Sequence, residues 1–400
     1  MSVFAQDLLD LIIDICDFET LKECSLAASC LRYRSQRSLF RSLKLRAKKF
    51  GLVSSRLADS PHIAEYFTTL TLMTQNSAEI ETTLNDILLR LRNIRRLELG
   101  GQWIKSRSKD RDPLPAPIHP VIVNFIERQC LEELNLEYNY ISPALLSYFL
   151  GSISRISTAS VTVRDTDDER RPTPTPSQSP VRYLKLQSSF EHLCLWLGRP
   201  EITPLLAHLR TLALPLVDQP WTTALLAAAA NTLERVDFHC VYGACYFLFR
   251  PFSTGIRIAA KGELPRLPLP LPLLPALHSI HFHLLFSSFH HRPIDSETIA
   301  ALIAPGTMPA LKDIVTHLSF VSSRTPEELA RIPEHDGTLF SVLEDAVGGS
   351  ERTLTVGWIL RVSRKAESVG QSVAGMIREG MPLARLCGQL DINVVVKPSW

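Results

Sequence analysis

The sequence lacks the usual signatures of thiolate metal sites, redox proteins and membrane proteins. Its eight cysteines form no CxxC pair, so neither a thiolate zinc site nor a redox dithiol is expected. No stretch reaches the roughly 18 unbroken apolar residues of a membrane span. The first residues include Asp7, Asp10 and Asp14, where a secretory signal would be basic and then apolar. These absences predict a soluble intracellular protein, cytoplasmic or nuclear, with no membrane partner.

The sequence also lacks a charge excess and the glycine motifs of common enzyme families. Lysine and arginine total 43 against 41 acidic residues, and the formal net charge of +2 excludes a global field that would attract nucleic acid. No GxGxxG, GxxxxGKS/T or GxSxG motif is present. We therefore expect a protein that is not an enzyme, carries no cofactor and binds no nucleic acid. An enzyme on a similar α/β body is the less favoured alternative.

Three short helices followed by a strand are predicted at the N-terminus. The first helix is amphipathic, and its apolar residues at helical spacing are Leu8, Leu11, Ile12 and Ile15. Thr20 and Glu23 have the spacing of a capping box, and apolar residues then continue at helical spacing to Leu31. Residues 33–40 are compatible with a third helix, and the alternation around residues 43–46 is typical of a strand.

This N-terminal segment resembles the F-box of fungal F-box proteins. The matching stretches are residues 4–14 (FAQDLLDLIID), 21–31 (LKECSLAASCL) and 37–43 (RSLFRSL). The pattern departs from the family at Phe4-Ala5, where the family has Leu-Pro, and at Leu31, where a tryptophan is common.

The resemblance implies that residues 1–45 form a helical module that docks on the adaptor subunit of SCF-type cullin–RING ubiquitin ligases. The rest of the chain would then capture a protein target for ubiquitination. The implied adaptor-binding residues are Phe4, Leu8, Leu11, Ile12, Ile15, Leu21, Leu26 and Leu31. The alternative is a helical cap that shields the end of the repeat array described next.

Residues 46–400 carry a recurring leucine-rich pattern. Residues 131–141 (LEELNLEYNYI) match LxxLxLxxNxL at every fixed position. Partial matches to the LxxLxL core have the middle apolar residues Leu70, Leu97, Leu184, Leu212, Val236 and Ile280, with a weaker match at Ile314. Residues 121–126 and 221–227 are suited to helices between strands. The pattern predicts an α/β fold, an irregular leucine-rich-repeat solenoid with a curved parallel sheet and outer helices.

A target-binding face follows from the alternation of side chains along each predicted strand. Leucines point into the core, so the polar residues between them line one exposed, concave surface. The predicted target-binding residues are Arg96, Glu98, Glu133, Asn135, Glu137, Tyr183, Lys185, Gln187, Arg235, Asp237, His239, Ser279, His281 and His283. Tyr183 and Arg235 are the anchor candidates, because tyrosine and arginine concentrate interface energy. Their replacement by alanine is expected to leave stability nearly unchanged.

Four smaller features complete the sequence-based expectations. His281 and His283 share a strand face, but two ligands do not complete a metal site, so a polar binding surface is favoured and no metal is predicted. The polar, proline-rich stretch at about residues 160–180 is predicted to be a disordered insert, and the leucine–proline run at 264–275 to pack along the array. Asn139 is expected to bond neighbouring backbone, as its counterpart does in regular leucine-rich repeats.

The sequence thus predicts the target-recognition subunit of an SCF-type ubiquitin ligase. Its partners would be the adaptor subunit and a protein target whose identity the sequence does not reveal. The alternative function is a free-standing leucine-rich-repeat scaffold that binds protein without any ubiquitin ligase.

Overall fold

The computed structural model describes most of the chain in two compact units, Met1–Val181 and Arg182–Trp400. The described residues are 6–73, 78–100, 116–164, 180–187, 191–215, 220–239, 272–286, 308–320, 343, 354–363, 367–381, 385 and 389–397. Each unit alternates helices with strands, and every strand pairing described is parallel. The chain is therefore an α/β protein built on parallel sheet, as its sequence predicts.

The first unit contains seven helices and eight strands within its described part. The helices are α1 (Gln6–Ile15), α2 (Phe18–Ala27), α3 (Ser29–Leu39), α4 (Phe50–Asp59), α5 (Ala78–Arg90), α6 (Pro120–Arg128) and α7 (Pro143–Ser152). The strands are β1 (Ser42–Arg46), β2 (Thr69–Met73), β3 (Arg96–Gly100), β4 (Ala116–Pro117), β5 (Glu133–Glu137), β6 (Asn139–Ile141), β7 (Arg155–Ala159) and β8 (Thr162–Val163). Short 3-10 helices are Ala47–Lys49 and Pro61–Glu65.

The second unit has four helices and seven strands among its described residues. The helices are α8 (Glu191–Leu197), α9 (Thr203–Leu206), α10 (Pro220–Ala228) and α11 (Glu367–Gly380), with a 3-10 helix at Pro200–Ile202. The strands are β9 (Tyr183–Gln187), β10 (Thr211–Pro215), β11 (Arg235–His239), β12 (Ser279–Phe286), β13 (Asp313–Phe320), β14 (Thr355–Ser363) and β15 (Leu390–Lys397).

Main-sheet strands follow one another in chain order. In the first unit the order is β1-β2-β3-β5-β7, beside a small sheet β4-β6-β8, and in the second unit it is β9 through β15. Leucines predicted at equivalent repeat positions are register partners: Leu70 faces Leu97, and Leu97 faces Leu134. All three are fully buried, because alternate residues of a strand point to the same side and these point away from water. The predicted strand alternation is confirmed.

A repeated backbone contact joins most of the strand entries to the next one along the chain. The carbonyl of Arg95 accepts hydrogen bonds from the N–H groups of Glu132 and Glu133, at 2.8 and 3.1 Å. In the second unit the carbonyl of Arg210 accepts from Glu234 and Arg235 in the same way, at 2.8 and 2.9 Å. The recurrence of one local geometry shows that successive strand entries are equivalent backbone positions.

The outer helices agree with the sequence pattern, and one helix packs unusually close to the sheet. The helices predicted at residues 121–126 and 221–227 are found as α6 and α10. Helix α11 packs on β14 and β15. A Cβ added at Gly370 would lie 3.0 Å from a methyl of Val362 and 3.1 Å from one of Val394, so glycine permits this approach. No helix in the described part of the chain is long and apolar enough to cross a membrane.

The N-terminal helices begin and end at different residues from those predicted. Helix α2 starts three residues earlier than the capping-box assignment, because Asp17 rather than Thr20 is its N-cap and accepts the Thr20 N–H at 2.8 Å. The predicted single helix up to Leu31 is also wrong, since Ala28 is extended and separates α2 from α3. The strand predicted around residues 43–46 is confirmed as β1. The proposed domain boundary at residue 45 stays a prediction.

The expected amide bridge between repeats is made by a different residue. Asn139 is buried, but its Oδ1 has no hydrogen-bond partner in the part of the chain that the structure describes. Gln129, at the end of α6, accepts the Ile94 N–H at 3.2 Å and donates to the Leu91 carbonyl at 3.0 Å. Gln129 therefore satisfies the buried backbone before β3, as the regular asparagine would do in its own repeat.

Several predictions fall outside the described residues. These are the contact role of Phe4, the structure of residues 165–179 in the predicted insert, and that of residues 264–271 in the leucine–proline run. The first part of the predicted insert is described, and it includes strand β8, so the insert cannot begin at residue 160. At the end of the leucine–proline run Leu274 is buried whereas Leu273 is exposed.

Candidate functional site

The N-terminal helices expose several large apolar side chains. We call these residues the N-terminal apolar patch, and they are Leu8, Leu11, Ile12, Ile15, Phe18 and Leu26. Their exposed fractions range from 50% at Ile12 to 85% at Ile15. Four of them form the apolar stripe that the sequence predicts on α1, while Ile13, at 1% exposure, packs inward. The stripe therefore faces solvent instead of the protein's own core.

Helix α1 is fixed to α3 by polar contacts on its other side. Arg34 donates from Nε to Asp14 Oδ1 at 2.9 Å and from a second nitrogen to Oδ2, a bidentate ion pair. The hydrogen bond from Arg34 and its positive charge hold the pKa of Asp14 below its usual value. Gln6 Nε2 also donates to the Cys30 carbonyl at 3.3 Å. The patch is thus presented by a helix whose orientation is specified.

Two predicted adaptor-binding residues lie elsewhere than on the patch. Leu21 is only 8% exposed and Leu31 is half-buried, so both pack within the protein. Tyr33 of α3, and Phe40 directly after it, make edge-to-face contacts with Tyr66 and Phe67, with ring centroids 5.6 and 6.3 Å apart. Helix α3 therefore joins the patch-bearing helices to the segment that leads into β2.

The polar strand face of the first unit carries alternating charges. Glu133 lies between two arginines in the strand register, 2.8 Å from Arg96 and 4.0 Å from Arg155. Glu98 accepts a hydrogen bond from Thr71 Oγ1 at 2.8 Å. The predicted target-binding residues of this unit share that face: Arg96, Glu98, Glu133, Asn135 and Glu137. These pairs leave a surface of mixed charge with its ion pairs already formed.

In the second unit, the predicted anchor Arg235 is held by a neighbouring carboxylate. Its Nε lies 2.7 Å from Asp237 Oδ1 and a second nitrogen lies 3.2 Å from Oδ2. Asp237, predicted to be exposed, is only 5% exposed. The sequence predicts that Arg235→Ala leaves stability nearly unchanged. We now expect this substitution to destabilise the second unit, because it would leave a buried carboxylate without its partner. Tyr183, Lys185 and Gln187 lie at alternate positions of β9, as predicted.

Four histidines meet on the polar face of this second unit. His239, His283 and His317 are register partners on β11, β12 and β13. Their rings stack, with centroids 4.5 Å apart for His239–His283 and 4.2 Å apart for His283–His317. His281 Nδ1 lies 3.0 Å from His317 Nε2. The sequence predicts His239, His281 and His283 on this face but not His317, which would be identifiable only from its register position opposite His283.

The environment of these histidines favours neutral imidazoles. Burial, with smaller contributions from nearby positive groups, lowers the pKa to about 4 at His239, His281 and His317, and to about 3 at His283. Arg361 lies with a guanidinium nitrogen 3.5 Å from His317 Nδ1. Because a guanidinium only donates, Nδ1 is the acceptor and the proton of neutral His317 is on Nε2, directed at His281.

The lowered pKa values predict that acid destabilises this unit. An unfolded histidine binds its proton near pH 6.5, whereas these folded ones do so near pH 3 to 4. Between those values the unfolded state binds more protons, so the free energy of unfolding should fall as the pH is lowered from 6.5 toward 4. Urea unfolding in EDTA at pH 7.5 and 5.0, followed by fluorescence of buried Trp358 and Trp196, measures this difference. His283→Gln should reduce the difference; an unchanged difference would contradict the prediction.

No protein-family model matches the chain, and no curated protein matches it either. Three surfaces of the described residues are candidate functional sites. They are the N-terminal apolar patch, the mixed-charge strand face of the first unit, and the strand face of the second unit with its histidines.

Proposed function

We propose that this protein is the target-recognition subunit of an SCF-type cullin–RING ubiquitin ligase. Helices α1–α3 would bind the adaptor subunit, and the polar strand faces would bind a protein target. The observation that carries the proposal is the N-terminal apolar patch, because an exposed apolar surface of this kind marks an interaction site. Four of the six patch residues, Leu8, Leu11, Ile12 and Leu26, lie in the stretches through which the sequence resembles an F-box.

The energetics of the patch favour a permanent or tight partner. Burial of apolar surface contributes roughly 25 cal/mol per Å², so covering several half-exposed aliphatic side chains stabilises a complex by several kcal/mol. Leu8, Leu11 and Ile15 lie on one side of α1, which the Asp14–Arg34 pair holds in place. A fixed helix loses little conformational entropy when a partner covers it.

The strand arrangement supports the second half of the proposal, an irregular leucine-rich-repeat solenoid that recognises protein. Strands succeed one another in chain order, their leucines align in register, and most strand entries repeat the same carbonyl contact. Such arrays bind other proteins through the polar residues of their parallel strands. The mixed charge of these faces suits a protein surface better than a polyanion, which would need mainly basic residues.

The direct test is complex formation between the full chain and a purified fungal SCF adaptor subunit. The proposal predicts a stable complex with one copy of each chain on size-exclusion chromatography. If the correctly folded wild-type chain forms no complex with the adaptor, the receptor function is wrong. The strand faces would then be the protein-binding surface of a free-standing leucine-rich-repeat scaffold.

That second candidate function has one specific observation in its favour. The ring contacts Tyr33–Tyr66 and Phe40–Phe67, with the burial of Leu21, show that α2 and α3 also contribute to packing. A helical cap on a repeat array needs only such contacts. It does not need an exposed apolar stripe, and for that reason we favour the adaptor-binding function.

Target binding through the second unit predicts an effect of Tyr183→Ala. Proteins recovered with the wild-type chain by quantitative affinity purification should fall by at least about tenfold, since a tyrosine hot spot contributes roughly 2 kcal/mol. Adaptor binding should not change, because Tyr183 lies in the other unit from the patch. Leu195→Ala, an exposed position on helix α8 and outside the strand face, is the matched control for a nonspecific effect of truncation. Equal recovery with Tyr183→Ala would remove this residue from the target surface.

A further inference from the structure

Three imidazoles of the second unit are close enough to share one ligand. His281 and His283 lie two residues apart on β12, and His317 lies opposite His283 on β13. One ring nitrogen from each comes within 4.8 Å of the others. The closest pair, His281 Nδ1 and His317 Nε2, is 3.0 Å apart. We propose that His281, His283 and His317 form a binding site for a divalent transition-metal ion, with zinc as the best-suited ion.

The chemistry of the donor set fits this class of ion. Imidazole nitrogen is a preferred ligand of zinc, copper and nickel, whereas magnesium and calcium require oxygen. Two nitrogens bound to one tetrahedral zinc at about 2.0–2.1 Å are roughly 3.3 Å apart. The separations in the cluster bracket this value. Three histidines leave a fourth position for water or for a group from a partner.

The rings must rotate to bind the ion. The planes of His283 and His317 are 11° from parallel, so their lone pairs do not yet converge on one point. Rotation about the Cβ–Cγ bonds is available because His281 and His283 are only half-buried. Their partial exposure also gives an ion a route from solvent. His317, at 7% exposure, is the most fixed of the three.

Neighbouring charges act in opposite directions on a bound cation. Asp237 lies beside His281 in the strand register and attracts a cation, but its carboxylate is already paired with Arg235. Arg361, 3.5 Å from His317 Nδ1, opposes a cation by its charge. An ion bound at His317 Nε2 also moves the proton to Nδ1, which breaks the hydrogen bond from Arg361. Arg361 should therefore weaken metal binding without being a ligand.

The first test is calorimetric titration of the full chain, purified without a histidine tag and stripped with EDTA, with zinc chloride at pH 7.5. We expect binding that weakens at least tenfold in His283→Gln and in His317→Gln. His208→Gln is the matched control, because His208 is exposed and outside the cluster, and its zinc binding should equal that of the wild type. Circular dichroism in EDTA verifies the fold of each variant. The proposal is overturned if the wild type binds no zinc below about 100 μM, or if the cluster variants bind as well as the wild type.

Two further measurements do not depend on the folding of the histidine variants. Arg361→Gln keeps all three imidazoles and should bind zinc several-fold more tightly than the wild type; unchanged or weaker binding would contradict the proposed position of the ion. Electron paramagnetic resonance of the wild type with one equivalent of copper(II) should show nitrogen couplings from several imidazoles. A spectrum with oxygen ligands alone would show that the histidines only hydrogen-bond and stack.

Discussion

Ile12→Asp is expected to abolish binding of the SCF adaptor, with a loss of affinity of at least about 100-fold. Ile12 lies in the middle of the stripe on α1 and is 50% exposed in the free protein. An aspartate there stays hydrated in the free chain, but a partner covering the stripe would strip water from its carboxylate. An unpaired buried charge costs several kcal/mol, and 1.4 kcal/mol corresponds to a factor of ten. Surface plasmon resonance with immobilised adaptor measures the loss.

The matched control for Ile12→Asp is Leu52→Asp. Leu52 is 56% exposed on α4, in the same unit but outside the patch, and the substitution has the same chemistry. Adaptor affinity should be unchanged in Leu52→Asp, and both variants should unfold at the temperature of the wild type. Equal losses in both variants would point to a general effect of added charge, and retained binding by Ile12→Asp would exclude the patch as the adaptor surface.

Strand positions were predictable where leucine marks both inward sites. Units such as β5, with Leu134 and Leu136, satisfy the LxxLxL pattern and appear at the expected places. The LxxLxL pattern does not identify strands β7, β14 and β15, because it requires leucine-like residues at three spaced sites. β7 instead buries Ile156 and Thr158, and β14 is apolar through most of its length. A parallel strand covered on one side accepts any apolar or β-branched residue, so composition alone does not identify it.

The sides of the strands were predictable, but the partners of their residues were not. A twofold period places Arg235, Asp237 and His239 on one side of β11, and the structure agrees. It does not reveal that Asp237 is shielded, because that depends on the residues of neighbouring strands. The contact between His281 and His317 likewise joins residues 36 positions apart. Such contacts follow from the register between strands, which is set by the lengths of the intervening connections.

On the first helix, the sequence predicts which residues form the apolar stripe, but periodicity alone does not predict whether the stripe is buried. Its apolar stripe would ordinarily predict a buried face, because amphipathic helices direct such stripes into the core. Here the stripe is exposed and Ile13 alone of α1 is buried. The resemblance to an F-box implied this outcome, whereas hydrophobic periodicity alone could not distinguish a core-facing stripe from a partner-facing one.

Arg235→Ala is expected to lower the free energy of unfolding of the second unit by about 1–3 kcal/mol. The side chain of Asp237 is 8% exposed and that of Arg235 is 41% exposed, so the carboxylate has little water to replace its partner. Breaking a fully buried pair costs about 3–5 kcal/mol, and the partial exposure of the arginine reduces that figure. Urea unfolding at pH 7.5, followed by tryptophan fluorescence, measures the change.

A double-mutant cycle separates this ion pair from other effects of truncating Arg235. In an Asp237→Asn background no buried charge remains, so Arg235→Ala should then cost less than about 0.5 kcal/mol, and the difference between the two backgrounds is the coupling energy. An equal loss in both backgrounds would mean that the arginine stabilises the unit by packing of its aliphatic stem instead of by charge. No loss in either background would restore Arg235 as an anchor free to bind a target, because Asp237 would then have been shown not to need it.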